Sequence, residues 1–165
     1  MRQGIIIFAE SPATAPAKAA LKATVEAALA VEGATPFLAY AKADDSGPLR
    51  KLVGGPPPRF FPQANRATLG ERLAQSLAFL FVQDYDRVVI VTGPMAHLAP
   101  ESIASLLETL EDEAVAIAAE EGAYLLALRR EDFPRVASIF EDVAWEREGA
   151  KAEAERLLNE NGAKA

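Results

Sequence analysis

Carboxylates carry most of the reactive potential of this chain. It has 24 Asp and Glu against 17 Lys and Arg, a single histidine (His97) and no cysteine. The lack of Cys excludes a thiolate nucleophile, a thiolate metal site and a disulfide framework. One His cannot supply a zinc cluster, and a Ser-His-Asp triad would have to be built on His97. What remains is carboxylate oxygen as the only plausible metal ligand, Lys18 as a cation at the start of a helix that could attract an anion, His97 as a lone imidazole, and Tyr124 and Trp145 as rings. Glu10, Glu71, Glu120 and Glu121 are the acids near the expected cleft, and each also reads as a turn, cap or surface group. His97 is either a base in a cleft loop or an incidental loop residue. Tyr124 and Trp145 either stack on a base or sugar ring or belong to the core or cleft wall.

The formal charge is −7 and no basic stripe offsets it, so nucleic acid is not the expected partner. No apolar run reaches the roughly 18 residues of a membrane span, and the run after Arg2 is too short for a signal peptide. A soluble, cytoplasmic protein is expected. Half of the residues are apolar and roughly one in five is Ala, against a background of ordinary usage. The length suits one domain over residues 1–165, with residues 146–165 as a C-terminal helical segment.

The elements that must position these groups follow from the apolar periodicity. Residues 5–9 form a β-branched run suited to a strand buried on both faces. An Ala-rich helix is expected over 17–31, stopped by Gly33. Strands follow at 36–41 and 59–62, with a helical turn over 48–53 between them. The stretch Gly54-Gly55-Pro56-Pro57-Pro58 reads as a surface excursion. Thr68 and Glu71 fit a capping box that opens a helix carrying Leu69, Leu73, Leu77, Leu80 and Phe81 on one face. Residues 88–92 are the clearest buried strand, and Pro100 and Glu101 begin the next helix. Strands at 114–118 and 124–128 are joined so closely that they must form a hairpin. Two helices, 133–140 and 148–158, complete the chain, and Asn161-Gly162 supplies the stop. This order predicts a three-layer α/β/α sandwich with a mainly parallel, mixed sheet. Ligands of such sheets lie outside the carboxyl ends of the parallel strands. Two loops therefore matter most: Glu10 to Lys18 after the first strand, and Gly93 to Ala99 after the strand ending at Thr92. Neither loop is a glycine-rich phosphate cradle.

Several segments resemble, in order, the motifs of the small glycosyltransferase-like family of GT-A fold, also known as a domain of unknown function and as a radical-SAM- or selenodomain-associated transferase. After the first strand, that family has the pattern A-K-x-P-x-P-G-x-V-K-T-R-L. Here Pro12, Lys18 and Leu21 match, while Ala15 and Ala20 stand for the Gly and the Arg. The family's Gln followed by L-G-E-R-[LM] is similar to Gln63 and Leu69-Gly70-Glu71-Arg72-Leu73. Its G-[ST]-D-x-P-x-L compares with Thr92-Gly93-Pro94-Met95-Ala96-His97-Leu98. Its E-D-G-G-Y-Y-L compares with the stretch from Glu120 to Leu126, with Ala123 for the second Gly. Its F-x-x-[IV]-x-W-S-T is similar to Phe140 through Trp145, Glu146 and Arg147.

The resemblance implies a nucleotide-diphospho-sugar transferase fold and a divergent glycosyltransferase. The nucleotide would be held by Ala9, Glu10, Pro12, Lys18, Gly70, Arg72, Thr92 and Gly93. Tyr124 and Trp145 would face the sugar or acceptor, and Glu121 and His97 would be catalytic. The family's strand-end Asp, which would hold a divalent ion on the diphosphate, is replaced by Pro94. Mg²⁺ or Mn²⁺ would then depend on Glu120 and Glu121. Two alternatives stay open: a non-catalytic module that binds a ligand or protein, and a nucleotidyltransferase. The implied partner is a nucleotide or nucleotide-sugar.

Overall fold

The computed structural model describes residues 1–65 and 67–165. Its sheet has six strands: β1 (Gln3–Ala9), β2 (Ala34–Tyr40), β3 (Arg59–Pro62), β4 (Arg87–Val91), β5 (Val115–Glu120) and β6 (Ala123–Arg129), in the order β3-β2-β1-β4-β6-β5. β1 pairs in parallel with β2 and β4, and β2 with β3, whereas β6 runs antiparallel to both β4 and β5. The mixed, mainly parallel sheet expected from the residue pattern is thus present. β6 enters the sheet where the parallel strands leave it, so the β5–β6 turn sits on the same edge as the ends of β1 and β4.

Alternation along each strand divides the interior into two cores. Ile6, Phe8, Phe37, Val88, Ile90, Leu126 and Leu128 face α3 (Leu69–Phe81), α5 (Phe133–Asp142) and α6 (Ala150–Glu160). Ile5, Ile7, Leu38, Val89, Val91, Leu125 and Ala127 face α1 (Ala15–Leu29), α2 (Ser46–Val53) and α4 (Pro100–Thr109). β1 is apolar on both faces because it lies at the middle of this sandwich, where Ile5, Ile6 and Ile7 are completely buried.

The local signals hold with instructive shifts. Helix α1 starts two residues before the expected position, because the Thr14 hydroxyl accepts a hydrogen bond from the Ala17 N–H at 3.2 Å and so caps it. Thr68 caps α3 through the Glu71 N–H at 3.2 Å. The expected reciprocal bond from the Glu71 carboxylate is not made, so only half of the capping box exists. Strand β5 runs on through Glu120, which shortens the expected turn to Glu121 and Gly122. Both have positive φ, +50° and +78°, the geometry of a type I′ hairpin. Among the described residues no helix is long and apolar enough to cross a membrane.

Candidate functional site

The strand order reverses between β1 and β4. α1 carries the chain from β1 toward β2, and α4 carries it from β4 toward β5. Open α/β sheets form their ligand crevices at such a point, and a cleft of about 480 Å³ lies there. Ala9, Glu10 and Pro12 line it from the end of β1, Thr92, Gly93 and Pro94 from the end of β4, Gln63 from the end of β3, and Arg72 from α3. Leu69, Thr92, Gly93 and Glu146 are shared with an adjoining lobe of about 480 Å³, lined further by Glu120, Glu121, Tyr124, Trp145 and Arg147.

Arg72 is the distinctive charge of the cleft. It is half-buried, and its Nη1 donates to Gln63 Oε1 at 2.8 Å. Its Nε is buried and has no hydrogen-bond partner among the described residues. Among the described residues no carboxylate pairs with it, whereas Arg129, Arg130, Arg135 and Arg156 form ion pairs and Arg2 and Arg87 meet backbone carbonyls. A partly desolvated cation without a counter-charge is unfavourable unless something else supplies one. Gln63 is itself held rigidly. Its Nε2 donates to the Ala39 carbonyl at 2.7 Å, and its backbone N–H to the Tyr40 carbonyl at 2.9 Å.

The loop after β4 is fastened on two sides. The Thr92 hydroxyl accepts from the Tyr124 N–H at 2.8 Å, which ties the exit of β4 to the start of β6. Thr24, completely buried in α1, accepts from the Met95 N–H at 2.8 Å and donates to the Ala20 carbonyl at 2.7 Å. Sequence reasoning passed over Thr24, although a lone Thr within an Ala-rich helical stretch was a signal available to it. Glu121 reaches across from the hairpin and accepts from the His97 N–H at 3.2 Å. The His97 side chain itself is exposed.

Of the residues singled out from the sequence, Ala9, Glu10, Pro12, Arg72, Thr92 and Gly93 come together in the main cleft, and Glu120, Glu121, Tyr124 and Trp145 in the adjoining lobe. Lys18 is exposed and does not line the cleft; Ala17, one residue before it, does. Gly70 serves packing: a Cβ there would meet the Phe140 carbonyl oxygen at 2.3 Å and that of Glu141 at 2.6 Å, so α3 crosses α5 only because Gly70 is bare. Trp145 is only 3% exposed. Its N–H is taken by the Phe140 carbonyl at 2.9 Å, and its ring stacks on Phe140 at 5.7 Å. It forms a wall behind Tyr124, whose ring meets it edge-on at 5.4 Å. Tyr124 is therefore the half-exposed ring of this pair. The sequence motifs also left Glu146 and Arg147 without a role, yet both line the lobes.

Residues 24–147 match the family described as "Uncharacterized protein conserved in bacteria (DUF2064)". The chain belongs to that family. No curated protein matches it. Among solved structures, a provisionally assigned nucleotide-diphospho-sugar transferase of Desulfovibrio desulfuricans superposes with a TM-score of 0.80 at 21% identity, over 99% of this chain and 78% of the other. A cytidylyltransferase of Leptospira borgpetersenii gives 0.64 at 12% identity, over 98% and 72%. Rv0371c of Mycobacterium tuberculosis, in a complex with manganese, gives 0.62 at 13%, over 98% and 84%. The fold of this DUF2064 member is thus that of nucleotide-diphospho-sugar transferases and their nucleotidyltransferase relatives, as the motif resemblance implied.

The donor set for a metal is thin. Among the described residues no three Asp, Glu or His side chains converge on one point. Glu120 and Glu121 are exposed neighbours on the hairpin, the Glu121 carboxylate is engaged at His97, and Pro94 brings no side-chain ligand to the end of β4. Protein side chains alone therefore do not form a cage for Mg²⁺ or Mn²⁺ here.

Proposed function

We propose that this protein binds a nucleotide-diphosphate sugar in the switch-point cleft, as a divergent glycosyltransferase-like protein, with the diphosphate lying against Arg72. The observation that carries this reading is a half-buried guanidinium with no counter-charge among the described residues, at the point where α/β sheets bind nucleotides. In glycosyl transfer, negative charge grows on the departing diphosphate, and a fixed cation beside it stabilises that charge. Nucleotidyl transfer releases pyrophosphate and makes the same demand, so the sugar-transferase and cytidylyltransferase neighbours are consistent with one anion subsite. The adjoining lobe, with Tyr124 on its wall, suits the sugar or acceptor. Glu121, which lines this lobe, and His97, whose backbone N–H it meets outside the lining, are the groups we assign to acceptor deprotonation.

One observation favours a second reading, a module that binds the nucleotide without turnover: the carboxylates nearest the lobe form no metal cage, and Glu121 is already engaged. Calorimetry with UDP, CDP, GDP and ADP and their sugar conjugates, with and without Mn²⁺, tests both. Binding is expected in the native protein and a loss of tenfold or more in Arg72→Ala, on the order of one charge-assisted hydrogen bond. Absence of binding across the panel would remove the nucleotide reading. Binding without sugar release in the presence of acceptors would select the non-catalytic one.

A further inference from the structure

The cleft contains a second device, visible in how Arg72 is held. Gln63 is only 7% exposed, and both ends of its amide are committed. The Ala39 carbonyl is an acceptor only, so the group facing it at 2.7 Å must be the amide NH₂. The remaining oxygen then has to face Arg72, whose Nη1 it accepts at 2.8 Å. The backbone N–H of the same residue is fixed to the Tyr40 carbonyl, so the whole residue is locked to the end of β2. A Glu here would place an anion against both the Ala39 carbonyl and the guanidinium. It would lose the first bond and neutralise the second group. An apolar side chain would keep the charge of Arg72 and lose its orientation.

We propose that Gln63 is the positioning residue of the anion subsite: a neutral amide that holds the Arg72 guanidinium in place and leaves its positive charge for a nucleoside diphosphate. This inference rests on the reading of the cleft given above. A neutral clamp is what such a subsite requires. Four arginines among the described residues instead meet carboxylates that cancel their charge, as Arg129 does with Asp132 at 2.6 Å and Arg130 with Asp86 at 3.1 Å. Gln63 satisfies the geometry of Arg72 without that cancellation, because an amide oxygen accepts a hydrogen bond but carries no formal charge.

The test compares Gln63→Glu, Gln63→Met and Arg72→Ala with the native chain, by calorimetry against UDP, CDP, GDP and ADP and by thermal melting of each variant. Gln63→Glu is expected to weaken binding as much as Arg72→Ala, by tenfold or more, and to flatten the salt dependence of binding, because the cation is cancelled. Gln63→Met is expected to lose less, about three- to tenfold, and to keep the native salt dependence. A residue that merely supports the end of β2 would lower the melting temperature in both variants and leave the affinities alike; that result overturns the assignment. So does Gln63→Glu binding as tightly as the native chain while Arg72→Ala is impaired, which leaves the cleft reading intact. If the native chain binds none of the four nucleotides, or Arg72→Ala binds them unchanged, the cleft reading falls and the role of Gln63 falls with it. If the variants at position 63 melt too low to titrate, Arg72→Lys decides: a point charge without the planar fork cannot hold the same bond to Gln63. The assignment then requires about tenfold weaker binding at unchanged salt dependence, and native affinity in Arg72→Lys overturns it.

Discussion

The two ends of the sheet differ in how their arginines meet carboxylates. At the amino end of the parallel strands, Arg129 meets Asp132 at 2.6 Å, Arg135 meets the same carboxylate at 2.9 Å, and Arg130 bridges Asp84 and Asp86, each at 3.1 Å. The Asp86 carboxylate also accepts the Arg2 N–H at 2.8 Å. At the carboxyl end, among the described residues, the Arg72 guanidinium meets the neutral amide of Gln63 and the Glu121 carboxylate a backbone N–H. Paired charges cancel locally and fasten the bottom of the sandwich. An uncancelled one is costly to the empty protein and useful only when something of opposite sign arrives. The arginine ion pairs thus gather at the amino end, although pairing is not universal there: Arg87 meets the Leu107 carbonyl at 3.1 Å and Arg2 the Gln83 carbonyl.

The largest effect is expected from the packing that carries the start of α3, and with it Arg72, at the carboxyl end. Gly70→Ala puts a methyl group against two backbone oxygens of α5. It is expected to destabilise by about 3 kcal/mol, visible as a lower urea midpoint, because the helices must separate to admit it. The loss should fall on global stability; lost nucleotide affinity at unchanged stability would move Gly70 from the packing of α3 into the subsite.

The next effect in size sets the ends against each other. Asp132→Ala removes the shared acceptor of two arginines. Its side chain is 10% exposed, but those of Arg129 and Arg135 are 25% and 48% exposed. Solvent screening therefore holds the expected cost to about 1–2 kcal/mol, below that of a fully buried pair. Arg72→Ala breaks the bond to Gln63 but no ion pair, and it also removes an uncompensated charge, so it should cost the empty fold less than about 1 kcal/mol. Equal destabilisation of the two variants in chemical denaturation would erase the distinction between the ends.

The smallest effect is expected at Tyr85, which precedes β4 at the amino end and is 1% exposed. Its ring packs edge-on against Phe37 at 5.5 Å and carries the Arg2 guanidinium at 4.2 Å, yet its hydroxyl has no partner among the described residues. Tyr85→Phe keeps the ring and removes an unsatisfied oxygen, so stability should stay level or rise by up to about 1 kcal/mol. A clear loss in thermal melts would show that the hydroxyl has a partner.

The elements were largely legible because each rests on local physics. The β-branched run at Ile5, Ile6 and Ile7, the Pro and Gly stops, and the hairpin forced by a short connection all lie where the residue pattern placed them. The half-made capping box was not legible, since whether the Glu71 carboxylate turns back depends on what else surrounds it. The site was legible only in outline. Its loops followed from the rule for open sheets, and Arg72 from the motif. Trp145, by contrast, reads the same in a sequence whether its N–H is free or taken by the Phe140 carbonyl. Lys18 kept its motif position while remaining outside the cleft.

Taken alone, the sequence determined an α/β sandwich, the exclusion of thiol and imidazole-cluster chemistry, and the edge of the sheet where a ligand would sit. These depend on composition and on periodicities a few residues long. The tertiary structure decided which charges are cancelled. Gln63 meets the end of β2 and Arg72 across 24 and 9 residues of chain, Thr24 meets Met95 across 71, and Glu121 meets His97 across 24. No local pattern encodes such meetings, because they exist only once the strands have paired and the helices have chosen their faces.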